Sequence, residues 1–109
     1  MPIILKGIAK AEDAARAMEH NVAAIYISNH GGRQLDHNRA TIDMLPEIAA
    51  VMDGKADIII GGGFQRGSDV VKALALVGTN ATMGKMQTWA LAASGTEALV
   101  SCLEIIEQK

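Results

Sequence analysis

A histidine and an arginine separated by two glycines form the segment of this chain that is best suited to catalysis. Residues 28–36 read Ser-Asn-His-Gly-Gly-Arg-Gln-Leu-Asp and follow the apolar run of residues 22–27. Histidine moves a proton near neutral pH, and arginine binds a carboxylate through two hydrogen bonds. Glycines let a backbone approach a ligand closely. The combination is typical of a site that acts on a small organic acid. The spacing alone leaves one alternative open, a polar turn in which the histidine has only a structural role.

The elements that position this segment alternate between strand and helix patterns. Apolar β runs predict strands over residues 2–5, 22–27, 57–60 and 81–83. Helical periodicity predicts helices over residues 11–19, 41–52, 68–76, 89–93 and 96–107, with Gly95 separating the last two and Ser68 or Gly67 capping the third. Short connections between alternating elements indicate a parallel sheet. The fold prediction is therefore one α/β domain over residues 1–109, with a parallel (βα)4 architecture that equals half of a (β/α)8 TIM barrel.

Polar and glycine-rich groups follow each predicted strand. These groups are Lys6, His30 with Arg33, Gly61-Gly62-Gly63, and Gly84-Lys85. In parallel α/β folds the active site lies beyond the carboxyl ends of the strands, so we expect these groups to share one edge. The two glycine-rich loops could also hold a phosphate through backbone N–H groups, although plain flexible turns need no ligand.

Composition excludes several classes of function. A net charge of −2 without a basic cluster argues against a nucleic-acid partner, and no stretch is expected to span a membrane. A single cysteine, Cys102, rules out an intramolecular disulfide and a cysteine zinc cluster, and it favours a reducing intracellular compartment. No metal site can be assembled. We expect His20 and His37 to be exposed, Cys102 to be a buried inert thiol, and Trp89 to serve in packing.

Several motifs in register resemble the FMN-dependent α-hydroxy acid oxidase and dehydrogenase family, which includes glycolate oxidase, lactate oxidase and the flavin domain of flavocytochrome b2. The motifs are Lys6-Gly7, residues 28–36, Gly62-Gly63, Arg66-Gly67-Ser68-Asp69-Val70 and Lys72-Ala73-Leu74-Ala75-Leu76. The likeness covers nearly the whole chain and corresponds to the last four βα units, the C-terminal half, of that family's barrel.

The resemblance implies FMN as the cofactor and oxidation of a small (S)-2-hydroxy acid to the 2-oxo acid. Lys6 resembles the lysine that faces the flavin N1 and C2 oxygen, and Ser28 resembles a residue at the pyrimidine edge. His30 resembles the active-site base, and Arg33 resembles the arginine that pairs with the substrate carboxylate. The alternatives without a functional role are a solvated surface charge for Lys6 and a turn cap for Ser28.

The phosphate end of the site departs from the family pattern. Among the residues that the resemblance assigns to cofactor binding (Gly61, Gly62, Gly63, Gln65, Gly84 and Lys85), three differ in type. The family has an aspartate at position 61, and arginines at positions 65 and 85. Exchange of an arginine fork for a lysine point charge should weaken phosphate binding, so we expect FMN binding to be weakened. The carboxylate that orients the histidine in the family belongs to the absent half.

Half of a barrel leaves two unpaired sheet edges and apolar faces that normally pack against neighbours. We expect either a homodimer that rebuilds eight strands or a missing N-terminal half-barrel. Three functions stay open: the hydroxy acid oxidase or dehydrogenase, a flavin- or phosphate-binding half-barrel without turnover, and a truncated inactive relic. Cytoplasm is the expected location, with the peroxisome as the alternative.

Overall fold

Strands and helices alternate along the chain in the computed structural model, which describes residues 1–76 and 78–108. The elements are β1 (Ile4–Ile8), α1 (Ala11–Glu19), β2 (Ala24–Ile27), α2 (Thr41–Met52), β3 (Asp57–Gly61), α3 (Gly67–Ala75), β4 (Asn80–Thr82) and α4 (Lys85–Gln108). A single 3-10 turn spans His30–Gly32 between β2 and α2. The four strands form one sheet in the order β1-β2-β3-β4, and every pairing is parallel. The predicted parallel α/β architecture is confirmed.

The strands are aligned so that their carboxyl ends open at the same edge of the sheet. Tyr26 of β2 pairs with Lys6 of β1 on one side and with Ile59 of β3 on the other. Gly61, the last residue of β3, pairs with Thr82, the last residue of β4. The loops that follow the strands therefore share one rim, as the order of polar groups in the sequence predicts.

The hydrophobic core lies between one face of the sheet and the helices. Ile25, Ile27 and Ile60 have no exposed surface, and they pack in one cluster with residues of α2, among them Leu45 and Ile48. The intervening strand residues, Tyr26 and Ile59, are only half-buried. Because side chains alternate between the two faces of a strand, the opposite face is the one that forms the interior of a closed barrel.

Two element boundaries differ from the sequence prediction. Strand β1 runs from Ile4 to Ile8 rather than over residues 2–5, so Lys6 lies within the strand instead of after it. The register slips between Lys6 and Ile8, where Gly7 adopts a φ of +96°. Helix α3 begins at Gly67 with Arg66 as the N-cap, which corrects the expected cap at Ser68 or Gly67.

The last helix is interrupted where the sequence predicts it. Within α4, Ser94 has a φ of −157° and Gly95 a φ of +67°, so Gly95 separates two helical segments. Counted as one helix of 24 residues, α4 is long and apolar enough to cross a membrane, contrary to the expectation from the sequence. The break leaves two segments, and neither reaches the roughly 20 residues that span a bilayer as one helix.

Apolar side chains are exposed on β1 and on α4. Ile3, Ile4 and Leu5 at the sheet edge are 38 to 56% exposed. The exposed apolar residues of α4 are Trp89, Leu91, Val100, Leu103 and Ile105. Within the described ranges, β1 and β4 each pair on one side only, as expected for part of a barrel.

Candidate active site

The carboxyl ends of the strands and the loops that follow them enclose an open cavity of about 750 Å³. This volume lies within the range of small-molecule sites, roughly 300 to 1,000 Å³. All ten residues that the sequence analysis assigns to the site line this cavity, namely Lys6, Ser28, His30, Arg33, Gly61, Gly62, Gly63, Gln65, Gly84 and Lys85. The parallel topology therefore brings together groups that are up to 79 positions apart in the printed sequence.

The charged side chains of the lining are all of one sign. Lys6, Arg33 and Lys85 contribute cations, and no aspartate or glutamate lines the cavity within residues 1–76 and 78–108. A concave surface with charges of one sign raises the local concentration of ligands of the opposite sign. The cavity is therefore suited to an anionic ligand, such as a carboxylate or a phosphate.

His30 lies in a tight turn whose backbone is held by its neighbours. It has a φ of +57°, an uncommon conformation for a residue other than glycine. The Ser28 Oγ accepts a hydrogen bond from the His30 N–H at 3.2 Å, and the Asn29 Oδ1 accepts one from the Gly31 N–H at 3.1 Å. No side-chain hydrogen bond to the His30 ring occurs in the described part of the chain, and the residue is exposed. The turn and the space at Gly7 therefore place the imidazole.

Arg33 faces the cavity with its terminal nitrogens uncommitted among the described residues. Its Nε donates to the carbonyl oxygen of His30 at 3.1 Å, which fixes the guanidinium beside the histidine. The remaining pair of donors can bind both oxygens of a carboxylate. The turn therefore places a base and a carboxylate-binding group next to each other.

Ser28 has the turn role that the sequence left open for it. Its side chain is buried, and its oxygen already accepts the hydrogen bond from the His30 N–H. The hydroxyl hydrogen of a serine can still donate to one further acceptor. Turn capping and ligand contact are therefore compatible at this position.

Lys85, the first residue of α4, contacts the turn after β2. Its Nζ donates a hydrogen bond of 2.5 Å to the carbonyl oxygen of Gly31. Gln65 also lines the cavity, and its backbone N–H donates to the Asp69 carboxylate at 3.3 Å. The two positions that the resemblance assigns to phosphate binding therefore lie at the same cavity.

Sequence reasoning missed several lining residues. Tyr26 and Thr82 face the cavity from β2 and β4, and the only sequence signal was a polar hydroxyl within an otherwise apolar strand. Trp89, expected in packing, is 61% exposed and lines the cavity. Cys102, expected to be buried, is only half-buried, whereas His20 is exposed as expected. His37 is exposed as well.

Comparisons with known proteins identify relatives over the full chain. A sequence model described as FMN-dependent dehydrogenase matches residues 1–109. The chain is 42% identical to L-lactate oxidase of Nostoc sp. and 42% identical to 2-hydroxyacid oxidase 1 of Homo sapiens, each over 109 residues. It matches mandelate oxidase with benzoyl-formic acid at a TM-score of 0.93 and 42% identity, covering 99% of this chain and 32% of that one. A mandelate oxidase variant with a monooxide FMN adduct matches at a TM-score of 0.92 and covers 99% of this chain and 34% of that one.

Both curated relatives match this chain over its whole length, and the chain spans about 30% of the length of each relative. By length this is less than the half of the protein that the sequence analysis expected, and the assignment to the C-terminal half stays a prediction. The structural neighbours confirm that the four βα units are part of a barrel. With the family match over every residue, this chain belongs to the FMN-dependent dehydrogenase family.

Proposed function

We propose that this chain supplies the histidine and arginine part of a site that oxidises a small (S)-2-hydroxy acid to the 2-oxo acid with FMN. The observation that carries the proposal is the convergence of Lys6, His30 and Arg33 on one cavity that has no carboxylate in the described residues. The relatives named L-lactate oxidase and 2-hydroxyacid oxidase support this reaction class.

The residues present fit the cofactor of the family. Lys85 provides a cation in the same cavity that the glycines of the loops after β3 and β4 line, which suits a phosphate. Lys6 provides a second cation on the strand side of the same cavity, and Met83 and Trp89 provide apolar surface. FMN, when bound, accepts the two electrons that leave the substrate.

Arg33, His30 and Lys6 each have a separate task in the proposed reaction. Arg33 binds the substrate carboxylate through its terminal nitrogens and so orients the hydroxyl-bearing carbon. The oxidation removes two electrons and two hydrogens from the substrate. His30 would accept one hydrogen as a proton, because a neutral imidazole is a competent base near neutral pH, and the other would leave with the two electrons for FMN. The ammonium of Lys6 stabilises negative charge that develops nearby during the reaction.

The experiment that tests the proposal is anaerobic addition of a hydroxy acid to the purified chain loaded with FMN. We expect glycolate, lactate or a longer (S)-2-hydroxy acid to bleach the visible absorbance of the oxidised flavin. Stable absorbance with all three acids, in a chain that retains FMN, would contradict the oxidation. The (R) enantiomer of lactate serves as the control because it places its α-hydrogen differently.

A second candidate function, binding of a flavin or phosphate without turnover, is favoured by one specific observation. The His30 ring has no hydrogen-bonded orienting partner among the described residues, and a base without an orienter has an unsettled tautomer. Retained FMN without bleaching would favour this candidate. Failure to retain FMN would instead favour the third possibility, a truncated and inactive protein that binds no ligand.

We further propose that the site is completed by more polypeptide, either a second copy of this chain or a complementary half-barrel. The half-exposed apolar residues Ile3, Ile4 and Leu5 at the edge of the sheet support this proposal. A reducing intracellular compartment remains the proposed location, on the ground of the single cysteine.

A further inference from the structure

Tyr26, on β2 between β1 and β3, lines the cavity, and no part of the proposed reaction uses it. Its strand neighbours Ile25 and Ile27 are fully buried in the core, whereas the Tyr26 ring is half-buried and lines the cavity. The Nζ atom of Lys6 lies 5.3 Å from the centroid of this ring. That distance is within the range of a cation–π contact, which attracts an ammonium to the face of an aromatic ring.

The hydroxyl end of Tyr26 is fixed by the neighbouring strands. Its oxygen is hydrogen-bonded to the hydroxyl of Thr82 on β4. The Thr82 Oγ1 in turn donates to the carbonyl oxygen of Ile60 at 3.3 Å. Because a threonine hydroxyl has one hydrogen, Tyr26 is the donor and Thr82 the acceptor in the first bond. The ring is thereby held at both ends, by β2 through its backbone and by β4 through its hydroxyl.

Position 61 must be a glycine for this arrangement to exist. A β-carbon built on Gly61 would lie 2.6 Å from the Tyr26 Oη and 2.7 Å from its Cε2, and it would also collide with the Thr82 hydroxyl. Such distances are too short for any side chain. The space at position 61 is therefore occupied by the phenol of Tyr26, and a larger residue there is incompatible with the present ring position.

We propose that Tyr26 is a positioning residue that holds the Lys6 ammonium at the cavity, and that Gly61 is its structural complement. Lys6 is an exposed side chain, and it takes part in no ion pair within residues 1–76 and 78–108. An exposed lysine without an ion-pair partner samples many rotamers. Contact with the face of the Tyr26 ring restricts the positions that its ammonium takes. The catalytic meaning of that position rests on the proposed function, whereas the contact itself does not.

The first arm of the test needs no cofactor. In the flavin-free chain, the Lys6 side-chain resonances should show the upfield ring-current shift of a group above an aromatic face. Tyr26→Phe should keep this shift because the ring remains, and Tyr26→Leu should abolish it. Gly61→Ala, which displaces the ring without removing it, should also abolish it. Ile59→Leu, a change at the neighbouring half-buried position on β3, is the matched control and should keep it.

The second arm measures the reduction potential of bound FMN. A cation held nearby stabilises the reduced, anionic form, so Lys6→Met should lower the potential. Tyr26→Leu should lower it in the same direction, whereas Tyr26→Phe and Ile59→Leu should leave it close to that of the unaltered chain. A merely structural role for Tyr26 would affect folding but would not single out Lys6 in this way.

Two results would overturn the proposal. One is a Lys6 resonance position that does not change between the unaltered chain, Tyr26→Leu and Gly61→Ala. The other is a reduction potential in Tyr26→Leu equal to that of the unaltered chain, provided that both bind FMN. If no variant binds FMN, the proposed function fails while the resonance measurement still decides whether Tyr26 positions Lys6.

Discussion

The imidazole of His30 lies directly against Gly7, so that a β-carbon at position 7 would come within 3.1 Å of the His30 Cε1. The two residues belong to different βα units, and Gly7 is the residue after Lys6. The glycine thus leaves the space in which the ring of the proposed base resides. It also adopts a φ of +96°, which a residue with a side chain rarely adopts.

Replacement of Gly7 with alanine should displace the His30 ring and slow flavin reduction. At 3.1 Å the ring must give way by a few tenths of an ångström. Because a misplacement of about 1 Å can cost roughly 100-fold in rate, we expect a measurable but smaller loss for Gly7→Ala. Stopped-flow measurement of flavin reduction checks this.

Gly54→Ala is the matched control for Gly7→Ala. Gly54 also has a positive φ of +71°, but a β-carbon there would meet nothing within 4 Å. Both variants should therefore lose stability through backbone strain, of the order of 1 kcal/mol, in urea unfolding. Equal reduction rates in the two variants would show that the Gly7–His30 contact does not matter for the reaction.

Much of this site could be predicted from the sequence because strand order and loop position determine it. His30 and Lys85 lie beyond the carboxyl ends of β2 and β4, Lys6 lies two residues before the end of β1, and a parallel sheet gathers those ends on one rim. The contact between Tyr26 and Thr82 could not be predicted in this way. It depends on which strand residues face the interior and on the space that the missing side chain of Gly61 leaves.

Arg33 should bind the substrate carboxylate through two parallel hydrogen bonds. Arg33→Lys keeps the charge and removes the fork, so the KM should rise, and binding of a 2-oxo acid should weaken by about 1 to 3 kcal/mol. Titration calorimetry with a 2-oxo acid measures the loss. Arg16→Lys, on the exposed last turn of α1, is the control and should bind as the unaltered chain does. Unchanged affinity in Arg33→Lys would remove the arginine from the carboxylate site.

Lys85 should contribute to retention of FMN, because it is the cation that lines the cavity at the start of α4. Lys85→Met should weaken FMN binding about tenfold or more, since a hydrogen bond to a charged group contributes roughly 1.5 to 3 kcal/mol. Lys85→Arg should bind FMN more tightly than the unaltered chain, because the guanidinium can donate two bonds to a phosphate. Quenching of flavin fluorescence reports both affinities.

Lys55→Met is the control for net charge. Lys55 lies in the turn before β3 and does not line the cavity, so this variant loses one positive charge outside the site. If this variant and Lys85→Met weaken FMN binding equally, the effect of Lys85 is only a loss of overall positive charge. A difference between them assigns the effect to the cavity.

The exposed apolar edge of the sheet should drive association of the chain. Light scattering should show a species larger than one chain, and Ile4→Lys at the edge of β1 should reduce its mass. Val71→Lys, an exposed apolar position on α3, is the control and should not change the mass. A monodisperse monomer for the unaltered chain would contradict the proposal that a second copy covers this edge.

The most direct test of the proposed function compares anaerobic flavin reduction in His30→Ala and His20→Ala, both loaded with FMN. Both histidines are exposed, but His30 lines the cavity and His20, which follows α1, does not. We predict that a hydroxy acid bleaches the flavin in His20→Ala as in the unaltered chain, and that His30→Ala retains FMN without bleaching. Bleaching of His30→Ala at the rate of the unaltered chain would contradict the role of His30 as the base.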